Sequence, residues 1–419
     1  MSNQTSSAKG WLVVSAGTAV NLAFGALYAW SMFKAPLMAE PFRLSNAQSA
    51  VPYSVACLTF ALVMVPAGRM QDRMGPRLVS TIGGGLVGLG FFVASLAKGM
   101  PGQAFLLLVG GFGVLAGAGI GLGYAAASPP AIKWFPPHKK GLIVGIVVGG
   151  FGLASVYVAP LTEYLIKNYD VAIAFRVLGF VFLVAIVGFS QLLRNPPAPA
   201  APAAASGASS GKAPSPLADL SSSQMLKTPA FYLIWLMFFV GAGAGLMVIS
   251  FLKAYVMGIK SIELAGFVFV ALLAVGNASG RIVAGVLSDK IGRTRTMLGV
   301  FLAQALTLVL FASVATTGLA AAGSVLIGFC YGACLSLFPS ITADYYGLKN
   351  LGLNYGIVFT AWGVGAVVMA LVAGFIKDAT GSYNVAFYLA AGLLVLGAVL
   401  SQVVRPPARK PPEALKDAG

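Results

Sequence analysis

GRMQDRMGPR (68–77) and GVLSDKIGRTR (285–295) are one pattern written twice. Gly, Asp, a basic residue and a second Gly fall in register, Gly68, Asp72, Arg73 and Gly75 in the first copy and Gly285, Asp289, Lys290 and Gly292 in the second, and a further basic residue follows in each, Arg77 and Arg293. Each copy joins two long apolar runs. Two shorter matches keep the same order, IGLGYAA (120–126) with IGFCYGA (327–333) and GLIVGIV (141–147) with GLNYGIV (352–358). The chain therefore reads as two equivalent halves in the same orientation. Parallel membrane repeats related by an axis along the membrane normal leave a cavity between them, with a binding site near the midplane.

The surrounding composition is that of an integral membrane protein. Hydrophobic residues make up 58% and charged residues 9% of the chain, and the mean hydropathy is +0.88. A soluble domain carries roughly 25% charged residues. A span needs about 20 mostly apolar residues, and twelve such runs are predicted: 11–37, 48–67, 78–98, 103–131, 142–165, 172–193, 229–257, 262–286, 297–315, 320–343, 353–376 and 384–404. Continuous runs of this length exclude a transmembrane β-barrel, whose strands alternate every second residue. The expected fold class is an all-α membrane protein of twelve transmembrane helices in two six-helix pseudo-symmetric bundles. Residues 1–195 form the first bundle, 196–228 a flexible linker rich in Pro, Ala, Ser and Gly, and 229–419 the second bundle with a short tail. The first run is expected to remain as a helix and not to be cleaved as a signal peptide.

Charge placement orients the chain. Most of the 27 Lys and Arg fall on one side, including Lys9, Arg69, Lys133, Lys139, Lys140, Arg194 and Lys227. That side is predicted to be cytoplasmic, with both termini on it. The net charge of +16 lies in short inter-helix loops and not on one soluble face, so a nucleic-acid partner is not expected. Cys57, Cys330 and Cys334 sit inside apolar runs and read as small core residues. His138, the only His, lies in a basic loop. No phosphate-binding loop, metal-ligand cluster or nucleophile–base pair occurs, so no cofactor, metal or catalytic residue is expected.

One residue breaks the apolar rule. Arg281, in GNASGRIVAG (276–285), is the only formal charge between Ala265 and Val286. A central guanidinium costs about 2.5–3.5 kcal/mol on insertion scales. The offset of 217 residues that carries Gly68 onto Gly285 places Arg281 on Met64 and Asn277 on Phe60. A structural role common to both repeats does not explain that asymmetry. Asn277 and Arg281 are four apart and share a helix face. None of the eleven acids falls at mid-membrane on the predicted spans. The counter-ion is therefore expected to be a substrate carboxylate, held by the guanidinium fork.

The doubled motif resembles the loop signature of the major facilitator superfamily. In that reading Gly68 lets two helices approach, and Asp72 pairs with a helix N-terminus or with Arg on the other half to latch the cytoplasmic side. WFPPHKKGLIVGIVVGGFG (134–152) is similar to the monocarboxylate transporter family. YAWSMFKAPL (28–37) and NYGIVFTAWG (354–363) resemble the bacterial oxalate–formate exchanger branch. The whole looks close to a bacterial lactate-type carrier. There are departures. Ala8-Lys9-Gly10-Trp11 lacks the family's acid, and Met32 stands where animal members carry Lys, with Lys34 nearby toward the outer end. Asn277 stands where animal carriers have Asp, and Trp362 where the exchanger has a second cation. One cation for one carboxylate implies a monocarboxylate.

Further candidate binding residues are Tyr124 and Tyr331, which occupy equivalent places in the repeat. Tyr28 lies seven residues from Asn21 on the first span, and Phe359 and Trp362 could wall a short organic tail. Leu27, Leu142 and Gly145 complete the set, the glycines at 145, 149, 150 and 152 reading otherwise as packing residues. The expected function is uptake of a lactate- or pyruvate-like monocarboxylate, such as L-lactate, together with a proton by alternating access. The expected setting is a bacterial inner (plasma) membrane, with the lipid bilayer as partner and the carrier a monomer. Electroneutral exchange of organic anions, a carboxylate-binding membrane sensor and a broad-cavity exporter are the alternatives.

Overall fold

The computed structural model describes residues 2–135, 140–196, 220–262, 264–347 and 350–407, with the side chains of residues 2–7, 72, 140–142 and 352 outside that description. Among the described residues, twelve helices are long and apolar enough to cross a membrane. They are α1 (Ala8–Met38), α2 (Asn46–Gln71), α3 (Pro76–Gly99), α4 (Pro101–Ile132), α5 (Ile143–Asn168) and α6 (Val171–Ser190), then α7 (Pro229–Met257), α8 (Gly266–Ile291), α9 (Arg293–Phe311), α10 (Thr317–Tyr346), α11 (Leu353–Thr380) and α12 (Asn384–Val403).

Local chemistry sets the helix ends. Ser45 and Gln48 form a reciprocal capping box before α2. Asp170 accepts from the Ile173 amide at 2.7 Å to start α6, and Thr228 precedes Pro229 at the start of α7. The doubled motif is less of a loop than its sequence implies. The helix containing α2 continues to Met74, so Gly68, Asp72 and Arg73 are helical. Gly75 (φ 82°) and Gly292 (φ 95°) then turn the chain directly into α3 and α9. A left-handed φ is open to Gly at little cost, so one residue suffices where a longer loop would otherwise be needed.

Packing follows the repeat. In the first half α1 pairs with α5, α2 with α4 and α3 with α6; in the second, α7 pairs with α11, α8 with α10 and α9 with α12. Across the halves α2 lies on α11, α5 on α8 and the end of α1 on α7. Residues 197–219 of the linker lie outside the described residues. Leu220 and the short helix Ser222–Met225 dock on the second half: the Leu220 amide donates to the Tyr346 carbonyl (3.0 Å) and Ser222 to Asn354 (2.8 Å).

Two segments depart from α-helix inside the membrane. Gly25–Ala29 of α1 is 3₁₀ and Val109–Ala116 of α4 is π-helical. The first lies where a Cβ on Gly25 would collide with the Phe151 carbonyl and the Ala154 side chain. This close contact of α1 with α5 brings Tyr28 toward the molecular centre.

Candidate functional site

The second half builds the centre on a close helix pair. Cβ atoms on Gly276 or Gly280 of α8 would strike backbone of Phe329 or Val325 on α10, and a Cβ on Gly332 would strike the Asn277 carbonyl. With these glycines the backbones approach, and Asn277 and Arg281 of α8 stand beside Tyr331 of α10.

Arg281 is 5% exposed and Asn277 is 0% exposed. The guanidinium Nε donates to Asn277 Oδ1 at 3.2 Å, and Nη1 donates across the halves to the Val148 carbonyl of α5 at 3.0 Å. Arg281 Nη2 and Asn277 Nδ2, both buried, find no hydrogen-bond partner among the described residues. The ion pairs among those residues involve Arg43, Lys98, Lys253 and Arg293, never Arg281. The guanidinium is thus held by two neutral oxygens with one of its terminal nitrogens unpaired. A buried charge in this condition is costly unless an anion completes it.

Aromatic residues close the space around it. Tyr28 and Tyr331 share a 2.5 Å hydroxyl–hydroxyl bond between the halves, and Trp362 Nε1 donates to the Tyr331 hydroxyl at 2.9 Å. Trp362 is therefore more than an apolar wall: it orients Tyr331. Phe359 stacks on Trp362 with centroids 5.0 Å apart. Tyr124, half-buried, lies next to the Arg281 guanidinium. Tyr331 joins the halves and Tyr124 flanks the charge; the fold does not make them repeat partners, because Gly121 and Gly332 take the same place against α2 and α8 and set Ile120, not Tyr124, opposite Tyr331.

The remaining candidates separate. No atom lies within 4 Å of a Cβ built on Gly145, nor on Gly149, so this face of α5 borders open space. Gly150 and Gly152 do pack: a Cβ on Gly150 would meet the Thr18 carbonyl at 2.5 Å, and one on Gly152 would lie 3.5 Å from Arg281 Nε. The packing role read for the whole glycine run thus holds for 150 and 152 alone. Leu27 is fully buried in the 3₁₀ segment, one residue before Tyr28. The Leu142 side chain lies outside the described residues. Asn21 does not join Tyr28; its Nδ2 donates to the Val147 carbonyl at 2.9 Å, because the 3₁₀ segment breaks the seven-residue register.

Several neighbours escaped the sequence reading. Phe60 packs on Tyr124, Phe151, Phe359 and Trp362 with centroids 5.1–5.9 Å apart. Its position as the repeat partner of Asn277 was the signal that could have found it. Tyr53 is fully buried on α2, and its hydroxyl has no hydrogen-bond partner among the described residues. The Val148 carbonyl is a backbone group and leaves no trace in residue type.

The doubled motif lies at the end of the bundle that carries the described termini. Arg293 bonds Asp344 (3.0 Å) and Asp289 (2.5 Å) within its own half, and Arg77 donates to the Leu193 carbonyl at 3.2 Å. Arg73 and Lys290 are exposed, and the Asp72 side chain lies outside the described residues. Gly68 does not mediate a helix approach here, because a Cβ on it would meet nothing within 4 Å. Among the described residues, the hydrogen bonds that cross between the halves lie at the centre or at the opposite end. The two halves are therefore drawn together away from the motif.

Comparison with known proteins agrees with this architecture. The family model described as Major Facilitator Superfamily matches residues 15–320 and 260–419. The chain is 28% identical to the oxalate:formate antiporter of Oxalobacter formigenes, over 92% of this chain and 89% of that one. It is 27% identical to monocarboxylate transporter 11 of Mus musculus, over 93% of this chain and 86% of that one. The crystal structure of a D-xylose–proton symporter superposes with a TM-score of 0.72 at 13% identity, covering 94% of this chain and 98% of that one. The chain belongs to the major facilitator superfamily and is an integral membrane transporter, not an enzyme.

Proposed function

We propose that this transporter moves a small monocarboxylate, lactate- or pyruvate-like, together with a proton, by alternating access. Arg281 is the carboxylate anchor. The observation that carries this reading is its buried, unpartnered Nη2, next to the equally unpartnered Nδ2 of Asn277. Both are donors, and a carboxylate supplies two acceptor oxygens and the missing charge. Tyr124 and the Tyr28–Tyr331 pair flank the anion. Phe60, Phe359 and Trp362 enclose a short apolar tail.

A site that costs less to enclose when filled than when empty also supports a cycle. With the anion bound, Arg281 is neutralised and the closed, water-poor intermediate is less costly to cross. A monocarboxylate entering with a proton moves no net charge. We assign the motif-bearing end and both termini to the cytoplasm of a bacterial inner membrane, from the Lys and Arg bias. On this orientation the conformation described is closed at the outer end. The halves correspond to residues 1–195 and 229–419, and the working unit is a monomer.

Purified protein in liposomes tests this. Radiolabelled lactate and pyruvate should enter faster when the outside is made acidic, with concurrent acidification of the lumen. Absence of uptake under every gradient would overturn the assignment. The relation to the oxalate:formate antiporter favours a second reading, electroneutral anion exchange. That reading requires uptake to depend on an organic anion preloaded inside and to leave the internal pH unchanged.

A further inference from the structure

At the end of the bundle opposite the motif, one half caps a helix of the other. Asp378, in the last turn of α11, faces the first turn of α2. Its Oδ1 accepts from the Asn46 amide (3.2 Å) and Asn46 Nδ2 (2.9 Å), and its Oδ2 accepts from the Ala47 amide (3.0 Å). The Gln48 amide is served locally, donating to Ser45 Oγ at 3.0 Å. The first amides of a helix have no intrahelical acceptor. Here two of them are satisfied only by a carboxylate from the other half, which also meets the positive end of the α2 dipole. The backbones are close enough that a Cβ on Gly374, one turn before Asp378, would lie 2.8 Å from the Ala47 Cα.

Beside this cap sits Lys34 of α1, 1% exposed. Its ammonium donates to the Tyr383 hydroxyl (3.1 Å), which donates in turn to Asn46 Oδ1 (3.2 Å). It lies 5.5 Å and 5.9 Å from the ring centroids of Tyr383 and Phe251, which stack on each other. Among the described residues no carboxylate lies within ion-pair distance of Lys34. Closure therefore takes an ammonium out of water and returns one neutral hydrogen bond, two aromatic faces and the longer-range attraction of Asp378, itself opposed by Lys377, which together offset part of the loss. A separate tie, Glu163 of α5 with Lys253 of α7, joins the halves on the other flank.

We propose that these groups form the outer gate of the carrier, with two opposed elements. Asp378 is the latch, stabilising the closed form through the α2 amides. Lys34 is the counterweight, favouring opening because only the open form rehydrates its charge. Opening frees the Asn46 and Ala47 amides and the Lys34 ammonium together, so the gate moves as one unit. The proposal rests on alternating access but not on the identity of the substrate.

Opposite signs make it testable. Spin labels at Lys167→Cys and Met257→Cys, on exposed residues of the two halves at this end, report its width once Cys57, Cys330 and Cys334 are replaced by Ala. Distance distributions are read in lipid nanodiscs by pulsed electron resonance, without substrate. Asp378→Asn should raise the open-to-closed ratio at least about fivefold, and Lys34→Met should lower it at least about threefold. A purely structural network predicts that both substitutions open the gate, so opening by Lys34→Met overturns the proposal. So does an unchanged ratio in Asp378→Asn. A single distance in every variant, with and without lactate, overturns alternating access itself and the gate with it. Monodisperse elution and unchanged helix content in each variant confirm that a folded carrier is being read.

Discussion

In the first half, Gly117 and Gly121 of α4 press on the backbone of Ala56 and Phe60 of α2. In the second, Gly328 and Gly332 of α10 press on the backbone of Leu273 and Asn277 of α8. The scaffold is the same, yet what it presents to the centre differs. The first half offers Phe60 and Met64; the second offers Asn277 and Arg281. The packing glycines are shared because two parallel repeats must close in the same way. The polar residues are not shared, which is what the proposed function asks for, with one anchor meeting one small anion. A second guanidinium opposite Arg281 would repel the first and would ask for a second negative charge.

The largest expected effect comes from erasing the difference. Arg281→Met gives the second half the residue that the first half already has. Removing one partner of a buried charge pair costs about 2–5 kcal/mol, so uptake of lactate or pyruvate should fall by about 30-fold or more. The same variant should unfold at a higher temperature, since replacing an incompletely paired buried charge by an apolar residue is often stabilising by about 1–4 kcal/mol. Uptake and melting temperature, measured on one preparation, would then move in opposite directions. Full uptake by Arg281→Met removes the anchor role.

A smaller effect should follow from Asn277→Leu. The charge stays, but Nε loses its acceptor at 3.2 Å and the guanidinium keeps the Val148 carbonyl and its neighbour Tyr124. Leaving a buried donor unmatched costs about 1–3 kcal/mol, which corresponds to an increase in KM of about 5- to 150-fold. Maximal velocity should change less than KM if Asn277 mainly positions Arg281 for binding. A pure velocity effect with KM unchanged would assign it to the conformational step instead.

How much of this was legible in the chain depends on what kind of feature carries it. The twelve spans were, because a membrane helix must be apolar over its whole length. The repeat was, because its turns need Gly75 and Gly292 at fixed places. Arg281 was, because a charge in an apolar run stands out against its own repeat partner. The cage around it was less so. Phe60 and Phe151 look like any other aromatic in lipid, and their role depends on which face of the helix turns inward. The 3₁₀ segment at Gly25–Ala29 shifts α1 out of register, so spacing alone paired Asn21 with Tyr28 and the folded chain does not. Asp378 and Asn46 are 332 residues apart, and no local pattern announces a cap supplied from another half.

The smallest effect concerns the bond that spans the two halves at their centre. Tyr28 of the first half and Tyr331 of the second share one hydrogen bond, while Trp362 donates to Tyr331 independently. Tyr28→Phe removes one hydroxyl and keeps the edge-to-face ring contact, whose centroids are 5.6 Å apart. Two consequences follow. Tyr331 keeps its Trp362 donor and its place beside the site, so the anchor for the carboxylate is intact and KM should rise only about two- to threefold. The tie between the halves loses one buried hydrogen bond, worth about 1 kcal/mol, so the open form should gain about fivefold in population. Tyr331→Phe is the sharper companion, because it leaves both the Tyr28 hydroxyl and the Trp362 indole N–H without their acceptor or donor inside the cage. If the two halves contribute unequally, Tyr331→Phe impairs uptake more than Tyr28→Phe; equal impairment would show that the bond between them, and not the polar second half, is what the cycle depends on.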